Sequence, residues 1–212
     1  MKKEEVIPFY GSEEKELFEI ERRCMDRSGK VLEYLKKNLP YGKILDIGAG
    51  NGFTASHLND DHRRLYAMEP SDGMKDLDQD LIWSKGVAQD IPFHSNYFDG
   101  VYSTWAYFLS GDPREDIGIA EALRVLKSGG KLIIINNYGE DEFCSYMNDD
   151  ITAKASYYQE KGFDLDIIKS AFEFDNIQEA QKLMTHFFGI KCKDLLNLKY
   201  EYNISAYILE KL

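Results

Sequence analysis

The chain has 212 residues, enough for one domain with a sizeable core and too few for two ordinary ones. Hydrophobic residues make up 43% and charged ones 30%, the balance of a soluble globular protein, and a formal net charge of −11 sets its surface against a phosphate backbone. No apolar run approaches the ~18 residues of a membrane span, so the composition argues against both nucleic acid and bilayer as partners.

The first residues, Met-Lys-Lys-Glu-Glu-Val, are charged and hold no apolar leader segment. Residues 12–39 are predicted to be helical, capped by Ser12 and broken into two helices near Ser28-Gly29. Leu39-Pro40-Tyr41-Gly42 ends this stretch, and strands and helices then alternate. Strands are predicted at 43–47, 64–68, 81–85, 98–104 and 131–136, and helices at 51–58, 71–78, 114–127 and 142–161. The helix at 114–127 is expected to turn Ile117, Ala120, Leu123 and Leu126 inward, and Lys131 to Ile135 reads as the most buried strand. The tail reads strand (163–174), helix (176–188), strand (200–210). Alternation of this kind implies a mostly parallel sheet with helices on both faces. No repeat, low-complexity stretch or linker divides the chain. A single domain over 1–212 is expected, with 1–40 as a helical cap and 41–212 as the core.

Three widely spaced cysteines, Cys24, Cys144 and Cys192, suggest reduced thiols in a cytoplasmic protein. The four histidines show no metal-ligand spacing, and no metal is expected. His94 precedes the strand at 98–104 and so is placed ~20 Å from that strand's carboxyl end, at ~3.3 Å per residue. It reads as an exposed loop residue.

The most informative segment is Lys43 to Gly52, Lys-Ile-Leu-Asp-Ile-Gly-Ala-Gly-Asn-Gly. A short apolar strand ends in three glycines at alternate positions, Gly48, Gly50 and Gly52, and a helix follows. Such a loop turns sharply and lets a ligand come close to the backbone. A second apolar strand, Leu65 to Met68, delivers Glu69 beside it, placed to accept hydrogen bonds from ribose hydroxyls. The dinucleotide fingerprint Gly-x-Gly-x-x-Gly is not met, because position 53 is Phe.

Three further blocks follow in order: Glu69-Pro70-Ser71-x-x-Met74, then Gly86 to Phe93 running on to Phe98-Asp99, then Arg124 to Leu132. Together with the glycine loop they resemble the class I S-adenosylmethionine-dependent methyltransferases. The likeness is to the small-molecule branch related to ubiquinone/menaquinone-biosynthesis and type 11 enzymes, over residues 40–136. The resemblance implies a Rossmann-like, doubly wound sheet of seven strands in the order 3-2-1-4-5-7-6, the last antiparallel. It also implies S-adenosylmethionine as cofactor and S-adenosylhomocysteine as product.

On that resemblance Asp46, Gly48, Ala49, Gly50 and Gly52 hold the methionine end of the cofactor, and Glu69 with Pro70 the ribose. Met74 packs beneath the adenine, and Ala88, Gln89, Asp90 and Ile91 form the adenine pocket. The family pattern carries an Asp where Val87 stands, so Gln89, Asp90 or backbone groups must replace that contact. Thr104 and Trp105, at a strand's carboxyl end, face the sulfonium. Tyr10, Trp105, Tyr107 and Tyr138 are the candidates for the acceptor pocket. Tyr10 belongs to an amino-terminal segment, 1–30, read as a lid over that pocket. Five acidic residues between Asn136 and Thr152, with no basic one, read either as a solvated helix face or as a rim that attracts a cationic acceptor.

No catalytic residue is assigned, because methyl transfer needs alignment first and a base only for some acceptors. The expected reaction is methylation of a small molecule. A protein- or RNA-directed enzyme of the same fold and a non-catalytic cofactor-binding protein are the alternatives. Acceptor identity and oligomeric state are not written in the sequence.

Overall fold

The computed structural model describes residues 14–107, 112–146, 154–189 and 196–212. Its elements are α1 (Lys15–Cys24), α2 (Lys30–Asn38), β1 (Gly42–Ile47), α3 (Phe53–Leu58), β2 (Arg63–Met68), β3 (Ile82–Ser84) and β4 (Phe98–Thr104). They continue with α4 (Pro113–Val125), β5 (Leu126–Asn137), α5 (Ala155–Glu160), β6 (Asp164–Glu173), α6 (Ile177–Phe188) and β7 (Lys199–Glu210).

The strands form one seven-stranded sheet in the order β3-β2-β1-β4-β5-β7-β6. The pairs from β3 to β5 are parallel, and β7 runs antiparallel to both β5 and β6. The expected fold and strand order are met. Alternation along each strand splits the core in two. Ile44, Leu65, Tyr102, Ile133 and Ile135 pack on one face with residues of α1, α2, α3 and α6. Leu45, Ile47, Val101, Leu132 and Ile134 pack on the other with residues of α4 and α5. Ile133 to Ile135 are completely buried, as the apolar run predicts for a central strand.

Three expectations need correction. Residues 71–78 form turns, not a helix: Met74 N–H donates to the Ser71 carbonyl, and Asp76 takes the N–H of Asp78. Gly73 and side chains that compete for backbone donors favour such turns over helix. In α4 the buried positions are Glu115, Gly118, Ile119, Ala122 and Val125, while Ile117 is half exposed. The helix is rotated because Glu115 points inward and accepts a hydrogen bond from Tyr158 Oη on α5. The single helix expected over 142–161 is a short turn at Cys144–Tyr146 and the helix α5, with 147–153 outside the described residues.

The amino-terminal helices are tied to the far edge of the sheet. Arg23 reaches Asp175 (2.9 Å) and Glu179 (2.6 Å), and Arg27 reaches Asp175 (2.6 Å). Asp26 N–H donates to Ala171 O, and Asp26 Oδ2 accepts from Val31 N–H at the start of α2. At the other end of α2, buried Arg63 donates to the carbonyls of Lys36, Leu39 and Pro40. That satisfies acceptors which a helix terminus otherwise leaves open.

Candidate functional site

The carboxyl ends of β1, β2, β4 and β5 face the same way. At β1 the chain turns through Gly48, Gly50 and Gly52 with φ of +74°, +56° and +81°. The N–H groups of Gly48 and Ala49 both donate to Met68 O, which fastens the loop to β2. A Cβ on Gly48 would lie 2.5 Å from the Cβ of Ala106, and one on Gly52 2.7 Å from Leu81 Cδ1 and 2.8 Å from Trp83 Cζ2. Both positions therefore demand glycine on two counts, backbone angle and space. Gly50 faces Phe18 and Met74, whose tips lie 3.9 and 4.0 Å from its Cβ position.

Two acidic side chains flank this loop. Asp46 is 1% exposed, and its Oδ2 accepts from Tyr102 Oη at 2.8 Å. Its Oδ1 is buried and finds no hydrogen-bond partner among the described residues. Burial drives the Asp46 carboxyl up to about 7, against the Tyr102 hydrogen bond, and the nearby Glu69 pushes the same way. A buried lone pair left open is costly unless a donor arrives, and a cationic one suits it best. Glu69 is also buried, and its two oxygens accept from Gly50 N–H (3.0 Å) and Ser71 N–H (2.9 Å). Burial raises its pKa, while those two N–H groups and Lys75 hold the rise back. Glu69 thus staples the glycine loop to the turn after β2 and keeps lone pairs for hydroxyl donors. An orphaned carboxylate oxygen and a strand-tip carboxylate fit the ammonium and ribose parts of S-adenosylmethionine.

The segment after β3 is less open than expected. Val87 and Asp90 close a tight turn, with Asp90 N–H donating to Val87 O. Gln89 Nε2 already donates to Arg114 O at 3.1 Å. Ile91 is buried, and its N–H donates to Glu121 while its carbonyl accepts from Arg124. Ala88 is partly covered and Asp90 is exposed, so of the two side chains offered as replacements for the missing Asp, Asp90 alone projects into solvent.

At β4 the strand ends in Thr104, and Trp105 takes a left-handed backbone with φ +52°. That conformation costs a side-chain-bearing residue ~1–2 kcal/mol. Trp105 N–H donates to Ile135 O, and its indole Nε1 donates to both Tyr202 Oη (2.8 Å) and Asn137 Oδ1 (3.1 Å). Tyr202 Oη in turn donates to Asn137 Oδ1. This triangle joins β4, β5 and the start of β7, and it fixes the indole beside the glycine loop.

The four acceptor-pocket candidates separate. Trp105 stands at the site. Tyr107 is buried on the opposite face, where its hydroxyl donates to Gly118 O in α4, so it belongs to the core. Tyr138 is partly exposed at the end of β5, with its N–H on Asn203 O. Tyr10 lies outside the described residues. So do Asp149 and Asp150 of the acidic stretch. Two of its three described members are spent on local structure, since Asp141 accepts from Cys144 and Asn203 N–H and Glu142 from Glu201 N–H, while Glu140 is exposed. Phe18, Asn137 and Tyr202 stand at the candidate site, and sequence reading missed them. They are brought together across 184 positions, and no local spacing marks them. His94 is exposed in the loop before β4, as expected.

The helix α1, part of the segment read as a lid, is packed into the core through Leu17, Ile20 and Cys24. Among the described residues no group of three or more His, Cys, Asp or Glu is placed to hold a metal ion, and no helix is long and apolar enough to cross a membrane.

Comparison with known proteins agrees with this fold. A family model described as a methyltransferase domain matches residues 45–134. An uncharacterized protein of Methanocaldococcus jannaschii is 30% identical over 186 residues, 84% of each chain. A ubiquinone/menaquinone biosynthesis C-methyltransferase of Allorhizobium ampelinum is 31% identical over 106 residues, covering 44% of this chain and 40% of that enzyme. The chain thus spans less than half the length of that relative. A SAM-dependent methyltransferase from Aquifex aeolicus has the same fold, with a TM-score of 0.57, 18% identity, and coverage of 95% of this chain and 100% of that one.

Proposed function

This chain belongs to the class I S-adenosylmethionine-dependent methyltransferases, and from that premise we propose that it methylates a small molecule that lies against Trp105. The observation that carries the cofactor half is the buried, unpartnered Asp46 Oδ1 beside a glycine loop that tolerates no Cβ. S-adenosylmethionine, when bound, supplies a methyl group already activated on a sulfonium.

The chain's own residues then have four tasks. Asp46 pairs with the cofactor's ammonium group. Glu69 accepts from the ribose hydroxyls while it keeps the glycine loop in place. Met74 and Phe18 pack against the loop and exclude water. Trp105, locked by its two acceptors, sets the wall against which the acceptor lies. Alignment of this kind can supply ~7–11 kcal/mol of barrier reduction without any base.

The likeness to the menaquinone-pathway enzymes and the acidic net charge of −11 favour a small acceptor over nucleic acid. The chain acts as one unit, in the cytoplasm, with α1 and α2 as its cap. Incubation with methyl-labelled S-adenosylmethionine and a fractionated cell extract tests the reading. Label should enter the fraction below ~1 kDa. Label found solely in protein or RNA would contradict it.

A further inference from the structure

Two buried polar atoms beside the glycine loop have no hydrogen-bond partner among the described residues, and they are of opposite kind. One is the acceptor Asp46 Oδ1. The other is a donor, Nε of Arg22 on α1. Asp46 takes the same face of the sheet as Ile44, two residues before it in β1. Its partner Tyr102 lies in the apolar cluster that also holds Leu17, Ile20 and Cys24 of α1. Helix α1 therefore packs on the face toward which Asp46 points.

The same helix brings Phe18 and Arg22 to the loop, since residues four apart share one side of a helix. The tip of the Phe18 ring lies 3.9 Å from the Cβ position of Gly50. The Arg22 guanidinium carbon lies 3.9 Å from the centroid of the Phe53 ring. Phe53 follows Gly52 directly, so the two side chains track the loop from its middle to its end. The carboxylate paired with Arg22, Glu19 Oε2 at 3.9 Å, is beyond hydrogen-bond distance, and the Glu19 side chain is 60% exposed. Such a pair holds a guanidinium weakly in water. The Phe53 ring takes one face of the guanidinium and leaves the N–H groups at its edge unused.

We propose that Arg22 binds the carboxylate of the cofactor's methionine end, through the paired N–H groups that a guanidinium offers to two oxygens. The assignment follows from the two open atoms taken together. An α-amino acid carries an ammonium and a carboxylate on one carbon, and so supplies a donor to Asp46 and an acceptor to Arg22 at once. A free anion would satisfy Arg22 and meet Asp46 and Glu69 as like charges. A simple amine would satisfy Asp46 and leave the Arg22 donor open. In the ligand-free protein the Phe53 ring keeps the guanidinium beside the loop.

This inference rests on the methyltransferase reading, and the two can fail separately. Calorimetry of the wild-type protein with S-adenosylhomocysteine tests the reading, and no binding would sink it. A second probe, S-adenosyl-3-thiopropylamine, keeps the amine and lacks the carboxylate, and it tests Arg22. The wild-type protein should bind S-adenosylhomocysteine at least tenfold more tightly than the thiopropylamine. Arg22→Met should weaken S-adenosylhomocysteine at least tenfold, leave the thiopropylamine within twofold and so erase the selectivity. Equal affinity of the wild-type protein for both probes would overturn the proposal. So would an equal loss of both in Arg22→Met, or S-adenosylhomocysteine affinity within twofold of wild type. Thermal melting without ligand shows whether Arg22→Met folds. If it does not, Arg22→Lys is read in its place. One ammonium for a two-pronged fork should cost S-adenosylhomocysteine at least threefold and the thiopropylamine nothing, and unchanged S-adenosylhomocysteine affinity would again overturn the assignment.

Discussion

Around β1 and β2 the site is made of backbone, and around β5 and β7 it is made of side chains. The first half consists of three glycines with positive φ, the N–H groups of Gly48, Ala49 and Gly50, and two carboxylates within 24 residues of chain. The second half consists of Trp105, Asn137 and Tyr202, joined by hydrogen bonds across 97 positions. A backbone-built site needs particular residues at fixed spacing, because only glycine tolerates those angles and contacts. A side-chain-built site needs only that the fold bring certain groups together. The first half should break under single substitutions that barely alter chemistry. The second should change selectivity while the cofactor still binds.

The largest effect is expected from Gly48→Ala. One added methyl meets Ala106 at 2.5 Å in a left-handed backbone. The strain and the clash together amount to ~2–5 kcal/mol. S-adenosylhomocysteine binding should vanish from calorimetry, and thermal melting should fall. Unaltered binding would mean that the loop is not the cofactor cradle.

Asp46→Asn comes next. Loss of the charged partner should weaken S-adenosylhomocysteine by ~1.5–3 kcal/mol, the range for a hydrogen bond to a charged group. The pH dependence is the sharper reading. Burial raises the Asp46 carboxyl to about 7, so the ligand-free fold holds this proton more tightly than the unfolded chain does. The corresponding stability is complete below pH ~4 and is lost as pH rises through about 7. Ligand affinity runs the other way, because the ammonium prefers the ionised form. It should rise about tenfold between pH 6 and pH 8, the ratio of ionised fractions for a pKa near 7. In Asp46→Asn that slope should disappear, and a slope that persists would assign it to another group.

Glu69→Ala removes the acceptors of Gly50 and Ser71 N–H as well as the ribose contact. Affinity should fall by ~1.5–3 kcal/mol and stability by ~1–3 kcal/mol. Glu69→Gln, which keeps one acceptor oxygen, should restore most of the stability and less of the affinity. If both variants bind normally, Glu69 is a staple and nothing more.

The smallest effect is expected at His94. It is exposed at the amino end of β4, so His94→Ala should leave cofactor affinity and methyl transfer within error of wild type. A large loss in either would overturn the placement of the site at the carboxyl end of the sheet.

The same comparison explains what the amino-acid sequence makes legible. The strand order, the glycine loop, Asp46 and Glu69 are readable because each leaves a local mark, whether an apolar run or a glycine at fixed spacing. Tyr107 is misread as a pocket residue because adjacency to Trp105 says nothing about which face of the sheet it takes; its hydroxyl lies on α4. The rotation of α4 hides from hydrophobic periodicity because a buried Glu115 paired with Tyr158 counts there as polar. Asn137 meets Tyr202 diagonally, because the antiparallel register of β5 with β7 puts Asn137 opposite Ile204.

The central claim is that the loop after β1 and the tip of β2 form an S-adenosylmethionine site. Parallel calorimetric titrations of the wild-type protein with S-adenosylhomocysteine and with NAD test it most directly. Saturable micromolar binding of S-adenosylhomocysteine and none of NAD is expected. Micromolar NAD binding with no response to S-adenosylhomocysteine would contradict it.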